Sequence, residues 1–458
     1  MGERLKENRA AVEQHGIGHV SDEERHGSPK NLFGIWWSTN MTIAAFATGA
    51  ISIQLGLGFW PAIIAMVLGI LMGAIIIPVM SAMGWKLGVP QMLMTRPTFG
   101  RVGAIFPVII AWLNFLGWFT ILTVLGAQAL NAAFQLPLNA GIVILALVSI
   151  SLGVFGNDIV QSAERWIAIV VGIVFLIVII LAIPHIHWGY RGDPKLVGAD
   201  WWGTFVLMVA IAYSYAGPGY TPYASDYTRY IPKIFKFRTI FGPAFGGMAI
   251  SCTIIFSLGA AVLTGNPTGD PIKSLNNMVG GFAPVVMLAL ALGSVAANAM
   301  NVYSGGLTAL VSGIKMKRWT SALVIGVIGV ILALWAKEQF QVKYENYLLL
   351  VLYLVPPMDA IFIADFFFIR KGRYRYTDFY GNTAGLFNRS GWIAYIIGIL
   401  VSIPFMSAAV YEGPFAKDFH GADVSYLVSM VISGLVYWGI RRGTGHNLVF
   451  TEHNMTIE

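Results

Sequence analysis

Ala216-Gly217-Pro218-Gly219-Tyr220-Thr221-Pro222 interrupts an otherwise apolar run over 202–224. Two prolines and two glycines within six residues do not continue as regular helix, because proline lacks the N–H and glycine is conformationally permissive. The mildest outcome is a kink. The larger one follows from the surroundings, since freed backbone in hydrocarbon is tolerated only against protein or a water-filled cavity. A second irregular stretch, Ser38-Thr39-Asn40-Met41-Thr42, follows Trp36-Trp37 in the apolar run over 33–53. Its polar residues can satisfy an unwound backbone and line a site, or they can serve helix–helix hydrogen bonding. The two stretches lie in the first and sixth apolar runs of the chain. Interrupted helices in corresponding positions of two repeats point to a transporter's binding site, and a spacing of five runs is what an inverted repeat of runs 1–5 and 6–10 requires.

Runs of about 17–25 mainly apolar residues can cross the hydrocarbon core. They occur at about 33–53, 58–83, 103–131, 138–156, 164–184, 202–224, 239–264, 281–306, 318–335, 344–369, 390–411 and 424–440, numbered here as spans 1 to 12. The composition agrees: 57% of the 458 residues are hydrophobic and 11% charged, with a mean hydropathy of +0.70. A soluble domain carries roughly 25% charged residues. The fold class is therefore an all-α polytopic membrane protein of about twelve helices, with spans 1 and 6 broken. The single cysteine, Cys252, forbids an intramolecular disulfide. There is no P-loop, no HExxH and no Cys/His cluster, so no enzyme, ATP-driven pump or resident cofactor is expected.

The net charge of +7 could suggest nucleic acid, but its distribution fits topology. With the N-terminus inside, sixteen Lys and Arg fall in cytoplasmic loops and six in outer loops, as the positive-inside rule demands. The residues before span 1 hold eleven charges between Glu3 and Lys30 and no apolar run, so they read as a cytoplasmic tail rather than a signal peptide. The expected segments are a tail at 1–32, repeats at 33–184 and 202–369, two further helices over 390–440 and a second cytoplasmic tail at 441–458.

Span 8 carries Asn298-Ala-Met-Asn301, then Tyr303-Ser304. The i, i+3 spacing puts both amides on one face, where they can read the donor and acceptor edge of a ring or pair between helices. Span 10 holds Val355-Pro356-Pro357-Met358-Asp359. Asp359 is the one acid placed deep in a span, where a carboxylate is costly and commonly serves a proton or cation. The alternative is a hydrated vestibule. Asp365 lies nearer Arg370-Lys371 and can simply pair there.

At these motifs the chain resembles nucleobase–cation symport family 1, the permeases for purines, cytosine, allantoin and hydantoins. The likeness runs from Phe33-Gly-Ile-Trp36 to span 12. It is carried by Met94-Thr-Arg-Pro-Thr-Phe-Gly100, Leu116-Gly-Trp-Phe119, Pro222-Tyr-Ala-Ser-Asp-Tyr-Thr-Arg-Tyr230, Asn298-Ala-Met-Asn301-Val-Tyr-Ser304 and Ile363-Ala-Asp-Phe-Phe367. The resemblance implies a five-plus-five inverted-repeat core with two extra helices and alternating access. It implies a planar heterocycle stacked between aromatics on spans 3 and 6 and hydrogen-bonded by amides. Trp118 matches the span 3 aromatic and Asn301 the span 8 amide. Tyr215 and Tyr220 are both candidates for the second aromatic, with Asn298, Gly217, Thr42 and Asn40 nearby. Two departures stand out. The glutamine some members place on span 3 is Leu122 here. The span 8 stretch that gives hydroxyls to sodium in sodium-coupled members is Val295-Ala296-Ala297. A sodium site built from Ser38 and Met41 carbonyls with Ala296 and Ala297 is therefore short of the oxygen ligands a hard cation prefers, which moves weight to a proton and to Asp359.

The expectation is a symporter in the cytoplasmic membrane that imports a nucleobase, cytosine or a purine first, with H+ or Na+ as coupling ion. Allantoin, a hydantoin, a thiamine precursor or an amino acid are the alternatives. The expected partners are the small planar substrate and the lipid bilayer; the oligomeric state stays open. A channel, the rival class, would need no coupling residue.

Overall fold

The structure, a computed structural model, describes residues 16–155, 157–338, 340–381, 385–408 and 410–443. The expected tails therefore lie outside it over 1–15 and 444–458. Span 1 is split. Its first half, Pro29–Ser38, stops at Thr39, and its second, Ile43–Gln54, starts at Thr42, whose hydroxyl accepts the Ala45 N–H at 3.3 Å as an N-cap. Spans 2 to 5 are Phe59–Leu87, Ile105–Phe134, Leu138–Phe155 and Asn157–Ala182. Span 6 runs over Gly198–Ala216 and ends at Gly217. Beyond the break lie only a short 3-10 turn, Thr221–Tyr223, and consecutive turns, so the apolar run to 224 does not resume as α-helix after its expected break. Proline and glycine there remove the hydrogen bonds that would have carried it on.

Spans 7 to 9 are Phe237–Leu263, Ala283–Val311 and Arg318–Ala336, with a further helix, Pro271–Val279, before span 8. Span 10 comprises Phe340–Leu354, Pro356–Ile363 and a π-helical turn, Ala364–Ile369. Span 11, Arg389–Ser402, closes with a 3-10 turn to Phe405 rather than reaching 411. The apolar residues after it pair as a small hairpin, Ser407–Ala408 with Tyr411–Glu412. Span 12 is Ser425–Gly443.

Among the described residues eight helices are long and apolar enough to cross a membrane unaided. Spans 1 and 11 use shorter apolar helices, and spans 6 and 12 are less apolar helices of 19 residues. Large apolar side chains stand outward around the molecule, among them Leu147, Trp166, Ile173, Leu176, Ile180, Ile331 and Leu400. Such a surface suits lipid and not water.

Loop contacts establish the threading. Ile17 O accepts from Tyr380 Oη (2.7 Å), Gly16 O from Arg229 (2.8 Å), Gly88 O from Val20 N (2.9 Å) and Tyr230 O from Gly27 N (2.8 Å). The N-terminal segment 16–27 is thus a strap across the loops between spans 2–3, 6–7 and 10–11, which share its face. At the opposite face Leu57 pairs with Gly192, Gln54 donates to Gly269 O, and His420 meets Asp200 at 2.7 Å. Spans 1, 2, 6 and 7 pack as one group and spans 3, 4, 8 and 9 as another. Glycines let the first group close: a Cβ at Gly73 would stand 2.8 Å from Gly217 N, in the break itself.

Candidate functional site

The two breaks face each other where the helix groups meet. Trp118, at the middle of the run Asn114–Leu122 of buried span 3 side chains, is itself buried and surrounded by three rings. Tyr220, in the span 6 break, lies parallel to it, with 6.0 Å between centroids and 17° between planes. Tyr215 and Tyr347 present their rings at 82° and 88°, with centroids at 5.0 and 5.5 Å. Both span 6 tyrosines therefore reach Trp118; Tyr220 takes the face and Tyr215 the edge. Gly219 is what permits this, since a Cβ there would lie 3.0 Å from Trp118 Cζ2.

Hydrogen bonds hold the break in place. Asn114 Nδ2 donates to Gly219 O at 3.1 Å, and Tyr347 Oη donates to Asn114 O and Oδ1 at 2.7 and 3.0 Å. Spans 3, 6 and 10 are thereby joined around Trp118. Tyr215 Oη and Thr42 Oγ1 are 3.3 Å apart, and Tyr220 Oη donates to Thr39 O at 3.5 Å, which ties the span 6 break to the span 1 break.

The span 8 amides divide their work. Asn298 Nδ2 donates to Phe119 O (3.2 Å) and Thr123 Oγ1 (2.9 Å), so it braces span 3. Asn301 Nδ2 donates to Asn298 Oδ1 at 3.3 Å, leaving Asn301 Oδ1 buried with no partner. Trp118 Nε1 is likewise buried and unbonded. An acceptor on span 8 and a donor on span 3 are thus left over by the protein, and an unmade buried hydrogen bond costs roughly 1–3 kcal/mol.

Asn40 is not brought to this cluster. Its Nδ2 donates to Trp36 O at 2.6 Å and lies 3.1 Å from Met248 Sδ, towards span 7. Gly217 serves the backbone, at the contact with Gly73. Of the residues expected for an ion, Ser38 O accepts the Met41 N–H at 3.0 Å, and Met41 O packs against Gly293. Ala296 and Ala297, one turn further along span 8, are buried and add no side-chain oxygen.

Asp359 is fully buried on span 10, at the first turn after the Pro356-Pro357 break. Its Oδ2 accepts from Thr221 Oγ1 at 2.7 Å, and Thr221 immediately follows Tyr220; its Oδ1 has no partner. Asp365 behaves differently. Tyr374 and Tyr437 each donate to it at 2.7 Å, and Arg370 Nε lies 3.0 Å away while its Nη1 meets Asp378 at 2.8 Å. Asp365 is a paired structural acid, as its neighbours in sequence suggested. Two clefts, of about 510 and 370 Å³, lie on the apolar outer surface between spans 10 and 12 and between span 3, the end of span 8 and span 9.

Sequence reasoning missed Asn114, Tyr347 and Thr221. Asn114 sits one helical turn before Trp118, on the same face, and that spacing could have found it. Nothing local distinguishes Tyr347, whose role depends on a contact between elements far apart in the chain.

Residues 19–429 match the family described as permeases for cytosine/purines, uracil, thiamine and allantoin. The chain is 29% identical to the putative purine-cytosine permease YxlA of Bacillus subtilis, covering 93% of this chain and 95% of that one. It is 28% identical to the purine-cytosine permease fcyB of Emericella nidulans, covering 94% and 88%. At 22% it also matches the vitamin B6 transporter TPN1 of Saccharomyces cerevisiae, over 93% and 86%. Among solved structures it shares the fold of Mhp1, a nucleobase-cation-symport-1 family transporter in a closed conformation with bromovinylhydantoin bound. The TM-score is 0.80 at 18% identity, covering 96% of this chain and 97% of Mhp1, so the inverted-repeat architecture expected from the two breaks is the observed one.

Proposed function

The chain belongs to the family of permeases for cytosine/purines, uracil, thiamine and allantoin, a transporter and not an enzyme, and from that premise we propose that it imports cytosine or a purine by symport with a proton. The observation that carries the substrate is the indole of Trp118, faced by Tyr220 and edged by Tyr215 and Tyr347. A flat ring gains most from stacking, and a donor on the edge of a base is what the unbonded Asn301 Oδ1 of span 8 would accept. Stacked gaps of about 3.5 Å on each face of a ring ask for about 7 Å between its neighbours, so Tyr220 has to move away from the indole to admit one.

The proton assignment rests on Asp359. It is a buried acid in a span with no ion pair among the described residues and one oxygen unbonded, and its bond to Thr221 links it to the segment that carries Tyr220. Loss or gain of a proton at Asp359 changes whether Thr221 can donate to it, and so changes the support of the stacking ring. The span 8 alanines supply no oxygen for sodium. The expected repeats, 33–184 and 202–369, would rock against each other to expose the site alternately. We place the protein in the cytoplasmic membrane with the strap side inward, because the strap shares its face with the Lys- and Arg-rich loops. A membrane-impermeant thiol reagent applied to intact cells should label a cysteine put at Lys195 and spare one at Lys317, in a Cys252→Ala background; the reverse pattern would invert the topology.

A radiolabelled uptake panel in cells lacking their own base permeases tests the substrate. Cytosine, adenine or hypoxanthine should enter saturably and compete with one another. If no nucleobase enters or competes, the substrate assignment fails.

A further inference from the structure

Spans 10 and 12 are tied near their strap-side ends, where Tyr437 Oη donates to Asp365 Oδ1 at 2.7 Å. On the membrane-facing side they part, and the cleft of about 510 Å³ opens between them. Small residues give it depth: Ala360 and Gly434 line it, and a Cβ at Gly434 would still stand 3.6 Å from Ala360 Cβ. Phe368 and Trp438 are the last lining residues of the two spans towards the strap face. On span 12 the lining runs from Met430 to Trp438, about 12 Å at 1.5 Å per residue. Half of the hydrocarbon core is about 15 Å thick, so the cleft is close to one leaflet deep.

Any acyl chain can lie in such a cleft. What selects one lipid is the charge at its mouth. The Arg442 guanidinium lies 4.6 Å from the centroid of the Trp438 ring, which sets an exposed cation on a residue that lines the cleft. On the other element, Lys371 and Arg373 are exposed in the loop that follows Phe368. Neither 366–377 nor 425–443 contains an acid. The acids that flank the first stretch, Asp365 and Asp378, are buried and engaged by Arg370. Both walls of the cleft therefore run out into exposed cations with no exposed carboxylate between them in sequence.

We propose that this cleft binds an anionic glycerophospholipid of the strap-side leaflet, with one acyl chain along Ala360 and Gly434 and the headgroup phosphate on Arg442 and Lys371. Basic residues at the end of an interhelical groove hold anionic headgroups, and arginine offers planar donors to phosphate oxygens. A second copy of the chain suits the cleft less well, because a two-fold contact would bring its own Arg442 and Lys371 to the same cations. The lipid chain lies against the turn of span 10 that carries Asp359, since Ala360 is the next residue, so an occupied cleft steadies the helix behind the buried acid. The assignment is independent of the cargo and of the coupling ion.

The test titrates delipidated full-length protein in a neutral detergent with dioleoyl phosphatidylglycerol, and reads bound lipid by native mass spectrometry. Wild type should retain one molecule saturably, and should hold dioleoyl phosphatidylethanolamine, whose ammonium faces the same cations, about tenfold more weakly. Arg442→Gln should weaken phosphatidylglycerol about fivefold, the share of one Lys or Arg near an anionic surface, and Arg442→Gln with Lys371→Gln about twenty-fivefold. Gly434→Leu, which fills the cleft and keeps the cations, should remove the bound lipid. Thermal melting checks each variant, and the exposed Arg442 and Lys371 variants decide the matter should Gly434→Leu fail to fold. Equal retention of the two lipids, retention unmoved by the cation variants, or no retained lipid would overturn the proposal. A lipid-free dimer that Gly434→Leu dissociates would overturn it too, and would give the cleft to a second copy.

Discussion

Gly219 shows how much of the site depends on a single absent side chain. Its Cα hydrogen faces the indole of Trp118, and a methyl group would sit 3.0 Å from Cζ2 and 3.0 Å from Tyr215 O. Overpacking of this kind costs about 1–3 kcal/mol, and here the group that must yield is the ring that stacks. Gly219→Ala should therefore raise the uptake KM about tenfold and lower the melting temperature modestly; an unchanged KM would detach Gly219 from the binding surface. At this scale the sequence was informative where residue type alone decides. Trp118 and Asn301 could be named from their motifs, and Asp359 from its depth. It was silent on Asn114 and Tyr347, whose importance lies in a hydrogen-bonded chain across three spans. For Asn40 residue type could not decide, because a polar residue in a break has two sides to face, and its Nδ2 faces Trp36 O and Met248.

Elements were legible where proline and glycine speak. The breaks in spans 1 and 6 came from composition, whereas the interruption of span 10 before Pro356 was not expected. Hydropathy could not show that the chain after Gly217 abandons helix altogether, nor that the apolar residues after Phe405 form a hairpin, because apolar character is shared by both outcomes. The π-helical end of span 10 is pinned by Arg370, which serves Asp365 and Asp378 together while almost wholly buried. Removing one partner from a buried ionic network costs roughly 3–5 kcal/mol. Arg370→Ala should accordingly lower the melting temperature in detergent and the yield of folded protein, and a variant as stable as wild type would contradict that role. The strap carries a titratable group of its own. Burial, aided by Arg25 and then Lys233, holds the pKa of His19 below its usual 6.5. Docking of the strap is thus fully supported above pH 6.5 and weakens as the pH falls through the lowered value, because the released strap binds the proton more readily. The protection of amides over residues 16–27, taken relative to their intrinsic exchange rate at each pH, should fall on acidification in wild type more than in His19→Gln; identical pH profiles would exclude His19 from the effect.

The whole molecule divides along lines that the charge pattern and the run spacing already suggested. Twelve spans with the basic loops gathered on one face follow from hydropathy and Lys/Arg counts, and the loop contacts of the strap agree with that threading. The grouping of spans 1, 2, 6 and 7 against 3, 4, 8 and 9 was not visible in any run, since helix partners in a membrane are chosen by small-residue contacts such as Gly73 with Gly217. That division sets what coupling has to achieve. Asp359 lies on span 10, and its one bonded neighbour, Thr221, lies in the break between the groups. The most direct measurement is therefore accumulation of labelled cytosine or hypoxanthine by proteoliposomes under an imposed gradient of one ion at a time. A proton gradient, alkaline inside, should drive uptake above equilibrium without sodium, and Asp359→Asn should abolish that accumulation while retaining base exchange at zero gradient. Accumulation driven by sodium alone, or wild-type accumulation by Asp359→Asn, would contradict the account.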